Sequence, residues 1–159
     1  MKLFSIGKRA PDKASALTDD LGRNRVFYLD DLGLVTQWYL AKRCLEESYR
    51  SERYERPLSF VLLRPDSESD SAVVQRQVGA WVREELRITD IPARLTCGRY
   101  AVLLVETNLD EATIIAGRLR AAVSNVSIGL SHFPEDGATL DLLVAAATNA
   151  LEEDTVQAA

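Results

Sequence analysis

The sequence has a single histidine, His132, in 159 residues, and only two cysteines, Cys44 and Cys97, set far apart. One histidine largely excludes a His-based triad or a multi-histidine metal centre. Two distant thiols give neither paired zinc-ligand spacing nor a disulfide framework, and they read as free thiols in a reducing compartment. Long apolar runs are missing as well. Near the N-terminus Lys2, Lys8 and Arg9 flank only Leu3-Phe4-Ser5-Ile6. That run is too short for a secretory signal or a membrane span, so the expectation is a cytoplasmic protein with no membrane insertion. Positive charge is not in surplus either. A net charge of −5 argues against a general nucleic-acid binder, which would present a basic face.

What is present is ordinary for one globular domain: 47% hydrophobic and 27% charged residues, enough to bury a sizeable core. Residues 1–25 are basic, then acidic, and read as a tail or loosely docked arm; 26–159 read as the domain. A helix is expected from about Leu32 to Tyr54, with Trp38, Leu40, Leu45 and Tyr49 among its apolar positions. Pro57 to Leu63 is a near-continuous apolar run, the pattern of a strand covered on both faces. Ser67 to Ser71 reads as a turn supplying a helix cap, and Val74, Val78, Trp81 and Val82 then fall on one helical face. Trp38 and Trp81, at helical spacing with other apolar residues, read as core or interface. Two short strands with a tight turn follow over Ala93–Leu104. Next come a helix from Leu109 to about Val123, a strand over Asn125–Ser131, a Pro134–Gly137 turn, and a last helix capped by Thr139 and ending near Glu152. The order is α/β with a mixed sheet, and no internal repeat is visible.

The hairpin carries a resemblance. Arg94-Leu95-Thr96-Cys97-Gly98-Arg99-Tyr100, followed by apolar residues, resembles the Arg-x-Gly-Gly-Asp/Glu-Glu-Phe signature of diguanylate cyclase (GGDEF) domains. Asp30-Asp31-Leu32-Gly33-Leu34 resembles that family's Asp-x-Leu-Thr-Gly-Leu opening with one residue missing. Arg56–Leu63 resembles its first strand, and Val126–Leu130 with Phe133–Gly137 its late strand and turn. The resemblance spans about Tyr28 to Leu151. It implies a nucleotidyl cyclase-like fold, a mixed, mainly antiparallel central sheet flanked by helices, in a bacterial signalling protein.

The resemblance also implies lost catalysis. The family holds two magnesium ions on acidic residues, and the matching positions here are Arg64 and Gly98; the next acid of the signature is matched by Arg99. Two-metal phosphoryl transfer needs anionic oxygen ligands at about 2.0–2.1 Å. A unit charge pair at about 4 Å is worth about 4 kcal/mol at an effective dielectric of about 20, so reversing its sign swings the site by roughly twice that. Thr96 and Cys97 replace the glycine pair, and the guanine-holding segment is shortened to Pro65–Asp70. The expectation is a non-enzyme with no cofactor. Arg64 and Arg99 are expected to bridge to Asp66 or Glu68.

An inhibitory-site motif is retained. Arg87-Ile88-Thr89-Asp90 stands five residues before the signature, and Arg118 matches a further arginine on the helix after the hairpin. The implied ligand is cyclic di-GMP, bound by Arg87, Asp90 and Arg118, with a protein partner downstream. Guanidinium grips phosphate or a guanine edge through paired N–H donors, and a carboxylate accepts guanine protons. The plain alternative is an exposed Arg87–Asp90 ion pair at a helix end, with the fold kept as a ligand-independent interaction module. Arg120 reads as a solvated helix face, Cys97 as an inert thiol and His132 as structural. Homodimerisation stays open. Gly22-Arg23-Asn24-Arg25-Val26 resembles the family's closing Gly-Arg-Asn-Arg-Val, displaced to the front. It is either a coincidence or a permuted edge strand around 22–28.

Overall fold

A computed structural model describes residues 33–66 and 70–158. The N-terminal arm, the 22–28 string, Leu32 and Glu68 lie outside the described residues. Among the described residues five strands form one sheet: β1 (Val35–Thr36), β2 (Leu58–Pro65), β3 (Ile91–Arg94), β4 (Tyr100–Val105) and β5 (Val126–Phe133). Their order is β1-β3-β4-β2-β5, with β1 parallel to β3 and every other pairing antiparallel. Four helices among the described residues cover it: α1 (Gln37–Tyr54), α2 (Ser71–Glu85), α3 (Leu109–Ala122) and α4 (Leu140–Ala158). The α/β reading with a mixed, mainly antiparallel sheet holds. No described helix is long and apolar enough to cross a membrane.

β2 is apolar at nearly every position because both of its faces are covered. Leu58, Phe60 and Leu62 share one core with Leu40 and Cys44 of α1 and with Leu143, Ala147 and Leu151 of α4. Val61 and Leu63 share the other with Val74, Val78 and Trp81 of α2 and Leu119 of α3. Period-two alternation along the strand therefore feeds two separate cores. Caps set the helix starts. The Asp70 carboxylate accepts from Ala72 N and Val73 N, while Asn108 and Glu111 form a reciprocal capping box on α3.

Three expectations change. α1 begins at Gln37, because Thr36 caps it and Val35–Thr36 is drawn into the sheet beside Ala93–Arg94. Trp38, Leu45 and Tyr49 are exposed, so the core side of α1 is carried by Leu40, Cys44 and Ser48 instead. α4 runs to Ala158, past the expected end near Glu152. Its last turns are polar because their partners are polar. The Asp154 carboxylate accepts from Ile128 N (2.8 Å) and pairs with Arg120 (2.7 Å), and Thr155 donates to Ser127 (2.9 Å). Arg120 is exposed, as expected of a solvated face, and is in addition tied to α4. Farther along β5, Asp136 accepts from His132 N (2.8 Å).

Candidate functional site

The hairpin between β3 and β4 is a tight loop. Gly98 N donates to Leu95 O (3.0 Å) and Leu95 N to Arg99 O (2.8 Å), with Gly98 at φ +81°. This is a three-residue loop closed by a glycine bulge, and the left-handed backbone there favours glycine. Thr96 donates through both its N–H and its hydroxyl to Gln37 Oε1 (3.1 Å each), which ties the loop to the start of α1.

Two of the positions that the resemblance matches to acidic residues, Arg64 for a metal ligand and Arg99 for the next acid of the signature, lie side by side. Leu63 pairs with Tyr100, so Arg64 and Arg99 are the next residues outward on their strands. Arg64 turns to α4, donating to Glu152 (2.6 Å) and to Thr155, rather than to the expected Asp66. The sequence could not give this partner, which is 88 positions away. Among the described residues no cluster of three or more His, Cys, Asp or Glu side chains could hold a metal ion. Two guanidinium groups and a glycine do not fit magnesium, and no phosphoryl-transfer step can be drawn through them.

Arg87-Ile88-Thr89-Asp90 forms the turn from α2 to β3. Asp90 N donates to Arg87 O (3.0 Å), and the Asp90 carboxylate accepts from Arg87 N (3.0 Å) and Val105 N (3.3 Å). Asp90 is buried while Arg87 is exposed. Burial raises the Asp90 pKa above the ordinary aspartate value, against the opposing pull of its backbone donors and the Arg87 charge. The pair is therefore a stapled turn rather than an exposed ion pair on a helix. Arg118 is exposed and pairs with Glu85 (2.9 Å), two residues before Arg87. Arg87, just past the end of α2, and Arg118, reaching over from α3, thus both lie near the C-terminal end of α2. Only Arg87 and Asp90 line the adjoining cavity of about 340 Å³, together with Tyr39 and Arg43, which sequence reasoning missed. Helical spacing alone gave no signal for them, and Arg43 is already engaged by Glu46 and Glu47.

His132 is structural in the expected sense. Its Nδ1 lies 2.9 Å from Ser59 Oγ, and that hydroxyl donates to Thr107 O (2.9 Å). A buried serine already donating to a carbonyl is not a nucleophile, although Glu135 lies 3.4 Å from His132 Nε2. The two thiols differ sharply. Burial pushes the Cys44 thiol up to about 12, whereas Cys97 is exposed on the hairpin tip. Native protein should therefore take up one equivalent of a thiol reagent at Cys97. The second should react only on denaturation; rapid native labelling of Cys44 would show that the α1 core opens.

No family model matches the chain. Over 80 residues it is 35% identical to the uncharacterized protein YhcK of Bacillus subtilis (strain 168), a match covering 50% of this chain and 22% of that protein. The chain thus spans a minor part of this curated relative. Among solved structures it is similar to a sensory box/GGDEF family protein from Caulobacter crescentus CB15. The TM-score is 0.69 at 22% identity, covering 80% of this chain and 97% of that one. The diguanylate cyclase SiaD of Pseudomonas aeruginosa, solved with its activator SiaC, gives 0.72 at 21%, covering 92% and 65%. The GGDEF domain of Caulobacter crescentus DgcB, in complex with c-di-GMP, gives 0.69 at 13%, covering 81% and 88%. These likenesses establish the fold, which is that of GGDEF domains.

Proposed function

We propose that this GGDEF-fold chain is a non-catalytic signalling domain that takes up cyclic di-GMP at Arg87, Asp90 and Arg118 and so alters its hold on a protein partner. The observation that carries this reading is the stapled Arg87–Asp90 turn. It presents an exposed guanidinium at the end of α2 where Glu85 also holds Arg118. Two guanidinium groups there can take phosphate oxygens or a guanine edge, and either can stack on a purine. Asp90 acts as a positioning residue, because its oxygens already accept from backbone N–H groups. The likeness to a domain solved with c-di-GMP supports the ligand class. The cationic Arg64 and Arg99 support the absence of cyclase activity, and formation of any cyclic di-GMP from GTP and magnesium would refute that half of the proposal.

Isothermal titration of cyclic di-GMP tests the other half. Binding should weaken by roughly tenfold or more in Arg87→Ala and in Arg118→Ala, the loss of about one charge-assisted hydrogen bond or more. Circular dichroism should show both variants folded. A heat-silent titration of the wild type would leave the second reading, a ligand-independent interaction module. That reading is favoured by the exposed Trp38, Leu45 and Tyr49 along α1.

A further inference from the structure

On the sheet face covered by α1 and α4, a cavity of about 380 Å³ opens between the start of α1, the hairpin tip and the start of α4. Its walls are apolar, with Leu40, Phe60 and Leu62 on one side and Leu140 and Val144 on the other. Well-packed interiors hold few voids larger than a water molecule, whereas ligand sites run from about 300 to 1,000 Å³. The rim is polar and has one sign of charge. Arg99 stands there half-buried, and among the described residues its guanidinium has no hydrogen-bond or ion-pair partner. Gln37 uses its Oε1 for Thr96, so its amide N–H groups are left as donors on the same rim.

From this combination we infer a second ligand site, for an organic carboxylate with an apolar body, such as a medium-chain or bicyclic aromatic acid. Arg99 would take the carboxylate in a forked pair of hydrogen bonds, and the Phe60–Leu62 floor would take the apolar body. A nucleotide suits the cavity poorly. A single guanidinium faces several phosphate charges, and beyond the rim the one remaining polar side chain of the lining, Thr148, already donates its hydroxyl to Val144 O (2.7 Å). The site is separate from the Arg87 turn and stands or falls independently of the cyclic di-GMP reading.

Cys97 on the rim serves as the reporter, since Cys44 is buried. The experiment measures alkylation of Cys97 by iodoacetamide in the presence of 2-naphthoate. Saturable slowing is expected, and half-protection should require about tenfold more ligand in Arg99→Ala, the usual cost of losing a charged hydrogen-bond partner. The neutral analogue 2-naphthalenemethanol should be weaker by a similar factor. Ala41→Trp, an exposed position at the mouth, should abolish protection while leaving the circular dichroism spectrum unchanged. The inference is overturned if naphthoate gives no protection up to its solubility limit, or if the alcohol protects equally well. It is equally overturned if Arg99→Ala leaves protection unchanged, or if GTP or cyclic di-GMP protects Cys97 at lower concentration than naphthoate.

Discussion

Replacing Gly129 by alanine should cost more than about 3 kcal/mol and lower the melting temperature by roughly 6–12 °C. Gly129 sits in β5 beneath α4, where a Cβ would lie 1.9 Å from the Ala147 carbonyl oxygen and 2.7 Å from Leu151 N. Both obstacles are backbone, so no side-chain rotation relieves them. The helix must lift, and lifting it opens the seam that Leu143, Ala147 and Leu151 make against β2. Overpacking ordinarily costs about 1–3 kcal/mol, and a clash with helix backbone belongs at or beyond that upper end. Gly117→Ala provides the control. This exposed position in α3 has open space around it, so alanine there should stabilise by about 0.5–1 kcal/mol. Calorimetric melts of both variants check the pair, and a Gly129→Ala melt within two degrees or so of wild type would mean that α4 is not seated this closely.

Asp90→Ala should cost about 2–4 kcal/mol, because it removes the acceptor for both Arg87 N and Val105 N, each worth about 1–3 kcal/mol when left unmet. Asp90→Asn should fall between, since an amide keeps one acceptor and turns a donor toward the other N–H. The variants also carry a pH signature. The folded-state pKa of Asp90 is raised by burial, so between the ordinary value of 3.8 and the raised value the native state holds more of this proton than the unfolded chain does. Its contribution to stability is then fullest below the ordinary value and declines as pH rises through the folded one. Urea midpoints of wild type minus Asp90→Asn, followed across that window, should decline with rising pH. A flat or rising difference would contradict the burial argument. Cyclic di-GMP titrations on the same proteins separate the roles: Arg87→Ala should lose affinity without losing stability, and Asp90→Ala should lose both.

The elements that were legible in the sequence are those encoded locally. The two-sided apolar run of β2, the Val74–Val78–Trp81 stripe and the glycine-bearing hairpin each state their structure within a dozen residues. Less legible were features completed by distant partners. Nothing near Arg64 announces Glu152, and the acidic end of α4 reads as a tail until Ile128 N and Arg120 are seen to need Asp154. Trp38, at helical spacing with other apolar residues, read as core or interface; of the two the structure excludes the core, whose α1 positions fall at Leu40 and Cys44. The Arg-x-x-Asp spacing was plain, but the same spacing fits an exposed ion pair and a stapled turn. Only the burial of Asp90 separates them.

Among the described residues β5 is an edge of the sheet, and edges invite uninvited strands. Two of its outward amides, at Ile128 and His132, are already taken by the carboxylates of Asp154 and Asp136. A strand arriving from another molecule would have to displace both and lay its own carbonyls beside their negative charge. The closing turns of α4 and the Pro134–Gly137 turn thus act as end-stops, guarding this border of the fold against runaway self-association when the protein is concentrated.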